Sequence, residues 1–469
     1  MTRKFPSLLL LACRALLVAG VFSCALPAAI GAEDSEPDAP QLADKTIDSF
    51  QKLQPLLDAK DWDGAIALLR GVLSGVDPES RDTALILDTV AKLEIQKDDA
   101  PKAIEAWETA LRLSDAHPNY FKQKDKLELV LSLAQNYSQL GSTTKDTVLA
   151  RESFSKAADY IHRWLGATTS PTFEAQYFYA QVLYSQATAN EKKIDKDLLR
   201  QAEQAAQKAL HMQTFPKEGL YILVKAIYQQ LDDMEASAKY LELLVRQSPD
   251  KDSSWQELWA VYMNLAAAND KDEDRSRQYY VRAINAMERA QSYGKMKANK
   301  DNYNLVTMYY TLGQFAEVTD LLHAGLTSGH IDSTIKNWQL LSYSYQQMDA
   351  PLRAASALKE AEALFPDSGE IDFDIAQIYL QLENSEDAYK YAAAATAKGN
   401  VEKPFNLYQM LAYSAYELEK YPEALVAVNK AFEFPQGKNN RQLTALKRIV
   451  LRSLKVQQDA AAPASNATQ

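Results

Sequence analysis

His323 and His330 stand seven residues apart, a spacing that can bring two imidazoles to one helix face as metal ligands or as a base and its partner. Gly325 and Gly329 lie between them and put the second in a turn, so both read as polar surface positions. The chain has only five histidines, and the other three add nothing to this pair. The acidic run at residues 270–274 can attract cations, but it lacks the fixed ligand spacing of a calcium loop and reads as solvated loop. No H-E-x-x-H, G-x-S-x-G or G-x-x-x-x-G-K-[ST] motif occurs. The expectation is therefore no catalytic, metal or cofactor site and no enzyme activity. The competing reading, an enzyme or ligand-binding protein on a helical frame, requires a closed pocket with converging carboxylates.

The two cysteines, Cys13 and Cys24, fall in a segment with a different message. Arg3, Lys4 and Arg14 precede an apolar run over residues 15–26, and Pro27 and the small-residue Ile30-Gly31-Ala32 site follow. That layout predicts a secretory signal peptide over residues 1–32, cut after Ala32, with the periplasm as destination. Val21-Phe22-Ser23-Cys24 offers a rival cut with a lipid anchor on Cys24. Arg14 interrupts the apolar stretch, and no later segment is apolar enough to span a bilayer, so no transmembrane segment is expected in the mature chain. Removing residues 1–32 takes away three bases and no acids, which changes the formal charge from -11 to -14 and leaves no cysteine for disulfides or thiolate chemistry. An acidic chain without a dense Lys/Arg stripe gives nucleic acid no electrostatic footprint.

The elements that would position a site are helices. At 47% hydrophobic and 24% charged, with only 15 glycines and 17 prolines in 469 residues, the chain favours helix over sandwich or barrel. Ala388, Ala392 and Ala395 form one helical stripe just after a short amphipathic helix containing Ile375, Ala376 and Tyr379. The stripe recurs as Ala354, Leu358, Ala361; as Ala424, Val428, Ala431; and as Val318, Leu322, Gly325, at intervals of 34 and 36 residues. Small residues at such spacing predict closely packed helix pairs, and the period predicts a stacked array. Polar stretches at 141–147, 188–197 and 268–276 read as insertions between paired helices. Residues 438–457, KNNRQLTALKRIVLRSLKVQ, read as a capping helix with a polar outer face. Residues 33–44 read as a disordered acidic linker and 458–469 as a disordered tail.

This pattern resembles the tetratricopeptide repeat (TPR), most closely over residues 335–368 with Trp338, Leu341, Ser342, Tyr345, Ala354, Leu358, Ala361 and Pro366. The resemblance implies an all-α, right-handed α-solenoid of about ten helix-turn-helix units between residues 46 and 437, divided here into N-terminal units at 45–214 and C-terminal units at 215–437, with the capping helix behind them. It also implies a concave groove, lined by the first helix of each unit, that takes a peptide or partner segment. The groove positions fall on Tyr303, Tyr310, Tyr343, Gln347, Phe373, Gln377, Tyr413 and Tyr416, an aromatic and amide lining suited to an extended polypeptide. The other reading of these tyrosines is that they pack against the neighbouring unit. Residues 215–233, 321–334, 374–383 and 411–425 further resemble exported TPR proteins encoded beside TonB, ExbB and ExbD. That implies a scaffold accessory to TonB-dependent outer-membrane transport, with TonB-system components as partners; envelope assembly and polysaccharide export are the alternatives.

Overall fold

The computed structural model describes residues 39–461, which fold into 21 helices with no strand among them. They are α1 (Asp44–Asp58), α2 (Trp62–Leu73), α3 (Arg81–Gln96), α4 (Ala100–Ala116), α5 (Gln123–Thr143), α6 (Thr147–Ala167), α7 (Phe173–Thr188), α8 (Lys196–His211), α9 (Glu218–Gln230), α10 (Met234–Gln247) and α11 (Asp252–Ala268). There follow α12 (Glu273–Ser292), α13 (Asn299–Thr311), α14 (Phe315–Ser328), α15 (Ile335–Gln347), α16 (Pro351–Leu364), α17 (Gly369–Gln381), α18 (Ser385–Lys398), α19 (Pro404–Glu417), α20 (Tyr421–Glu433) and α21 (Arg441–Ala461). Each odd-numbered helix up to α19 packs on its even-numbered successor, so the described chain is ten helical hairpins followed by α21. It divides into two compact units, one running to Ser248 and the other from Pro249. The boundary expected from the sequence, 214/215, falls instead inside the first unit.

Seven of the ten hairpins close with the same turn. Lys60, Asp98, Asp232, Gly313, Asp349, Glu383 and Glu419 each take a left-handed backbone conformation, with φ between 55 and 69°. The next residue's N–H then donates to a carbonyl five positions back, as Asn384 does to Tyr379 and Ala350 to Tyr345, both at 3.0 Å. This bond satisfies one of the carbonyls orphaned at a helix end. In four of these turns that next residue also starts the following helix: Asp61, Asp99, Asp233 and Asn384 accept from the backbone N–H three residues on.

The small-residue stripes lie in the interior. Ala388, Ala392 and Ala395 are fully buried, as are Ala354 and Ala361, Ala424 and Ala431, and Val318 and Leu322. The closeness they permit is measurable at Gly369, the first residue of α17, where a Cβ would stand 2.1 Å from the Gly399 carbonyl oxygen and 2.8 Å from that of Ala395. Trp107, Trp255 and Trp338 fill the larger spaces. At the position 34 residues after Trp338 stands Asp372, also fully buried, with the Lys398 Nζ 2.7 Å from its Oδ2.

Four details depart from the sequence reading. The stretches at 141–147 and 268–276 are mostly absorbed into longer helices, leaving only residues 144–146 and 269–272 as connections, because their Ser, Thr and acidic residues continue or cap the helices they adjoin. Only residues 189–195 form an extended insertion. Residues 39–43 are tied down, since the Pro40 carbonyl accepts from Arg81 at 2.8 Å and the Ala43 N–H donates to Asp82 at 2.9 Å, and Asp44 already belongs to α1. α21 runs on through residues 458–461. The expected signal peptide, the rest of the linker and the remainder of the tail lie outside the described residues.

Candidate functional site

The first helices of the second unit carry the residues singled out for a binding face. Each is amphipathic, with one stripe committed to the core: Leu305, Val306 and Met308 in α13, Trp338, Leu341 and Ser342 in α15, Ile371, Ile375 and Ala376 in α17, and Leu407, Met410 and Ser414 in α19. That leaves an outward stripe. Tyr343 and Tyr413 on it are 45% and 47% exposed, Tyr303 is 38% exposed, and Gln347 and Gln377 are exposed. Tyr343, Gln377 and Tyr413 are separated by 34 and 36 residues, the repeat interval itself, so they are equivalent positions on α15, α17 and α19.

Side-chain contacts join the stripes of α13, α15 and α17. The rings of Tyr310 and Tyr343 have centroids 6.2 Å apart and link α13 to α15. Between α15 and α17, the Gln339 Nε2 donates to Asp374 Oδ2 at 2.7 Å, while the Gln377 Nε2 reaches Asp374 Oδ1 at 3.3 Å. Asp374 is half-buried and enters no ion pair among the described residues. Burial pushes its carboxyl up to about 6, Glu370 and Glu402 add to the rise, and the Gln339 hydrogen bond and Lys403 work against it. This amide-held carboxyl went unnoticed in the sequence. The available signal was an acid in an apolar helix, one repeat interval from a glutamine.

Three expected groove residues are placed differently. Phe373 is 3% exposed and belongs to the core, because the apolar stripe of α17 is broad and takes residues 371, 373, 375 and 376 inward. Tyr310 is half-buried, edge-on to Phe315 at 5.7 Å as well as beside Tyr343, and burial raises its hydroxyl. Tyr416 is half-buried against Tyr421 at 5.9 Å. The last two brace helices as well as edging the surface.

Bracing is the plain role of another tyrosine column, near the ends of the first helices. Tyr137 donates to Glu108 at 2.5 Å, Tyr228 to Glu203 at 2.7 Å and Tyr309 to Glu288 at 2.6 Å, in each case reaching the second helix of the preceding hairpin. At Tyr379 the same reach meets a base: Lys359 donates to its hydroxyl at 2.7 Å. A tyrosine fits because its ring fills the interhelical space while its hydroxyl meets a charge at the rim.

Residues that could do chemistry are committed elsewhere. His323 Nε2 lies 2.9 Å from Glu360, and His330 Nδ1 lies 2.9 Å from the Ser328 hydroxyl. Among the described residues, no three His, Cys, Asp or Glu side chains come together to hold a metal. An open cleft of about 500 Å³ lies beside Lys196, Arg200, Glu203, Tyr228 and Asp233, but Lys196 is paired with Asp232, Glu203 accepts from Tyr228, and Asp233 caps α10. A second, of about 400 Å³, is lined by His162, Gln176, Tyr179, Gln204 and Lys208, with the Gln176 Nε2 already donating to the Ala205 carbonyl at 3.3 Å. The first cleft thus holds two carboxylates, Glu203 and Asp233, each already engaged, and the second holds none.

No family model matches the sequence, and no curated protein does. Solved structures of similar fold include Cut9–Hcn1 of the APC/C hetero-tetramer, at 14% identity over 88% of this chain and 77% of that one, with a TM-score of 0.27. A tetratricopeptide repeat protein from Parabacteroides merdae is 14% identical over 61% of this chain and 98% of its own, with a TM-score of 0.26. YrrB, described as a TPR protein with an unusual peptide-binding site, is 15% identical over 46% and 99%, with a TM-score of 0.30. Similarity of this size carries no argument about function.

Proposed function

We propose that the chain is an interaction scaffold whose second unit holds an extended polypeptide segment across the first-helix face of α13, α15, α17 and α19. The observation that carries this reading is the pair of nearly half-exposed tyrosines, Tyr343 and Tyr413, at equivalent positions on either side of Gln377. Exposed tyrosine offers contact area with a polar tip at low entropic cost, and the exposed amides of Gln347 and Gln377 can pair with a partner's backbone. The proposal extends to place: the charged start, short apolar run and Ile30-Gly31-Ala32 site favour export to the periplasm. There the sequence resemblance favours service to a TonB-linked outer-membrane transport system.

The test starts from peptides selected on the full chain from a random 15-residue display library. Tyr343→Ala with Tyr413→Ala should weaken their binding by about 2 kcal/mol or more, because interface energy concentrates in a few aromatic anchors. The melting temperature should fall by no more than a few degrees, since nearly half of each side chain is in solvent. A lowered melting temperature with undiminished binding would make these tyrosines braces and remove the proposed face.

A further inference from the structure

The outer face of α21 differs from every expectation for a merely solvated cap. Its inner side is ordinary: Leu443 and Val450 are fully buried and, with Leu446, pack on Val428, Ala431, Ala424 and Ala415 of α19 and α20. At 100° per residue the opposite side carries Ala445, Ile449, Arg452 and Val456 in one row, with Arg441, Arg448 and Lys455 beside it. Ile449 is 46% exposed and Val456 63%, and Leu451 is exposed as well. Residues 438–461 contain six bases and one acid, Asp459, in a chain whose formal charge is -11. Elsewhere many bases are paired, as in Arg70–Glu94, Arg112–Glu79, Lys126–Asp115 and Lys196–Asp232. Among the described residues Arg441, Arg448, Arg452 and Lys455 enter no ion pair, and Lys447 sits over the Phe432 ring at 5.3 Å.

From this face we infer that α21 is a docking surface for the anionic headgroups of a lipid bilayer. Charge complementarity selects an anionic partner, since four free cations concentrated on one helix of an acidic protein give a local field that the rest of the chain lacks. Shape selects a bilayer over a protein. Among the described residues the substantial contacts of α21 are with α20 and α19, so its outer half is a convex rod, which offers no recess for a partner's side chains but lies along a deformable plane. The interleaving of Arg448, Arg452 and Lys455 with Ile449 and Val456 suits that plane, with guanidinium and ammonium groups at the phosphates and short aliphatic chains just below them. The chain would then present its binding face from a membrane surface without a membrane-spanning helix among the described residues.

Co-sedimentation with vesicles tests this, using the full chain with phosphatidylcholine alone and with about 30 mol% phosphatidylglycerol. The expected result is binding to the anionic vesicles only, weakened by raised salt and weakened about tenfold or more by Arg448→Gln with Arg452→Gln, at roughly one factor of five per charge removed. Arg448→Lys with Arg452→Lys should keep most of the affinity, and circular dichroism of all variants should be unchanged, since these side chains stand in solvent. Binding of equal strength to both vesicles, which the apolar run at 15–26 would produce, overturns the inference. So does anionic-vesicle binding that the double glutamine variant leaves intact. Retention by immobilised poly-glutamate without retention by anionic vesicles would assign the face to an acidic protein segment instead and overturn it equally.

Discussion

Two carboxyl groups two residues apart on α17 face opposite ways and have different fates. Asp372 points into the core with Lys398 as its cation, and burial raises its carboxyl. Lys398→Met would leave that charge without compensation, and we expect a loss of about 3 kcal/mol or more in urea unfolding, the usual result when one member of a buried pair is removed. Asp374, held by Gln339 and Gln377, enters no ion pair among the described residues, and its folded value of about 6 lies above that of an unfolded aspartate, about 3.9. The folded chain therefore binds this proton more tightly than the unfolded one. The group is neutral in its effect at low pH and costs stability increasingly as pH rises from about 4 to about 6. The unfolding free energy of Asp374→Asn relative to wild type should rise across that window and level off above it; a falling difference would contradict the assignment. The tyrosine and glutamine positions were legible from the sequence because the repeat interval puts them in register. Their depths were not, since Tyr310 and Tyr343 share an outward phase and only the neighbouring helix decides which ring is covered. The Asp374 recess was hidden for the same reason: Gln339 and Asp374 are 35 residues apart, and one helix cannot show what the next one brings.

At the scale of the helix and its turn, sequence and structure speak most nearly alike. Stripes of Ala, Val, Leu and Gly at intervals of three and four mark the buried side of each second helix, and all are buried. Ala388→Leu or Ala392→Leu should thus overpack a closed interface and cost roughly 1 to 3 kcal/mol. Thermal unfolding measures it, and a neutral result at both sites would mean the stripe can yield. The turns make a finer test. At Gly313 a Cβ would meet nothing within 4 Å, so Gly313→Ala isolates the cost of the left-handed conformation itself, expected at about 1 kcal/mol. Six of the seven equivalent turns accept this cost with Lys, Asp or Glu. A search for turn glycines therefore finds little, and helix ends were harder to place than helix faces. Similarly, the polar runs at 141–147 and 268–276 read as loops by composition, yet Ser, Thr and Asp also begin helices, and here they cap or extend them.

For the whole chain, the export proposal makes a simple demand. Intact-mass measurement of the protein from a Gram-negative host should give a chain starting at Glu33, with formal charge -14; a lipid-modified Cys24 would instead tether it covalently. The sequence announces this destination only through residues outside the described ones, whereas the ten hairpins were legible throughout because one period runs through them. That period has a kinetic counterpart. Helices in substantial contact are consecutive or next but one, so no hairpin waits for a segment synthesised much later. Folds dominated by such local contacts form quickly and in pieces. Within each unit, a polypeptide threaded through a secretion channel from its N-terminus would thus complete one hairpin after another as each emerges, with the preceding hairpin of that unit serving as the template for the next. The direction of delivery and the order of assembly would be the same.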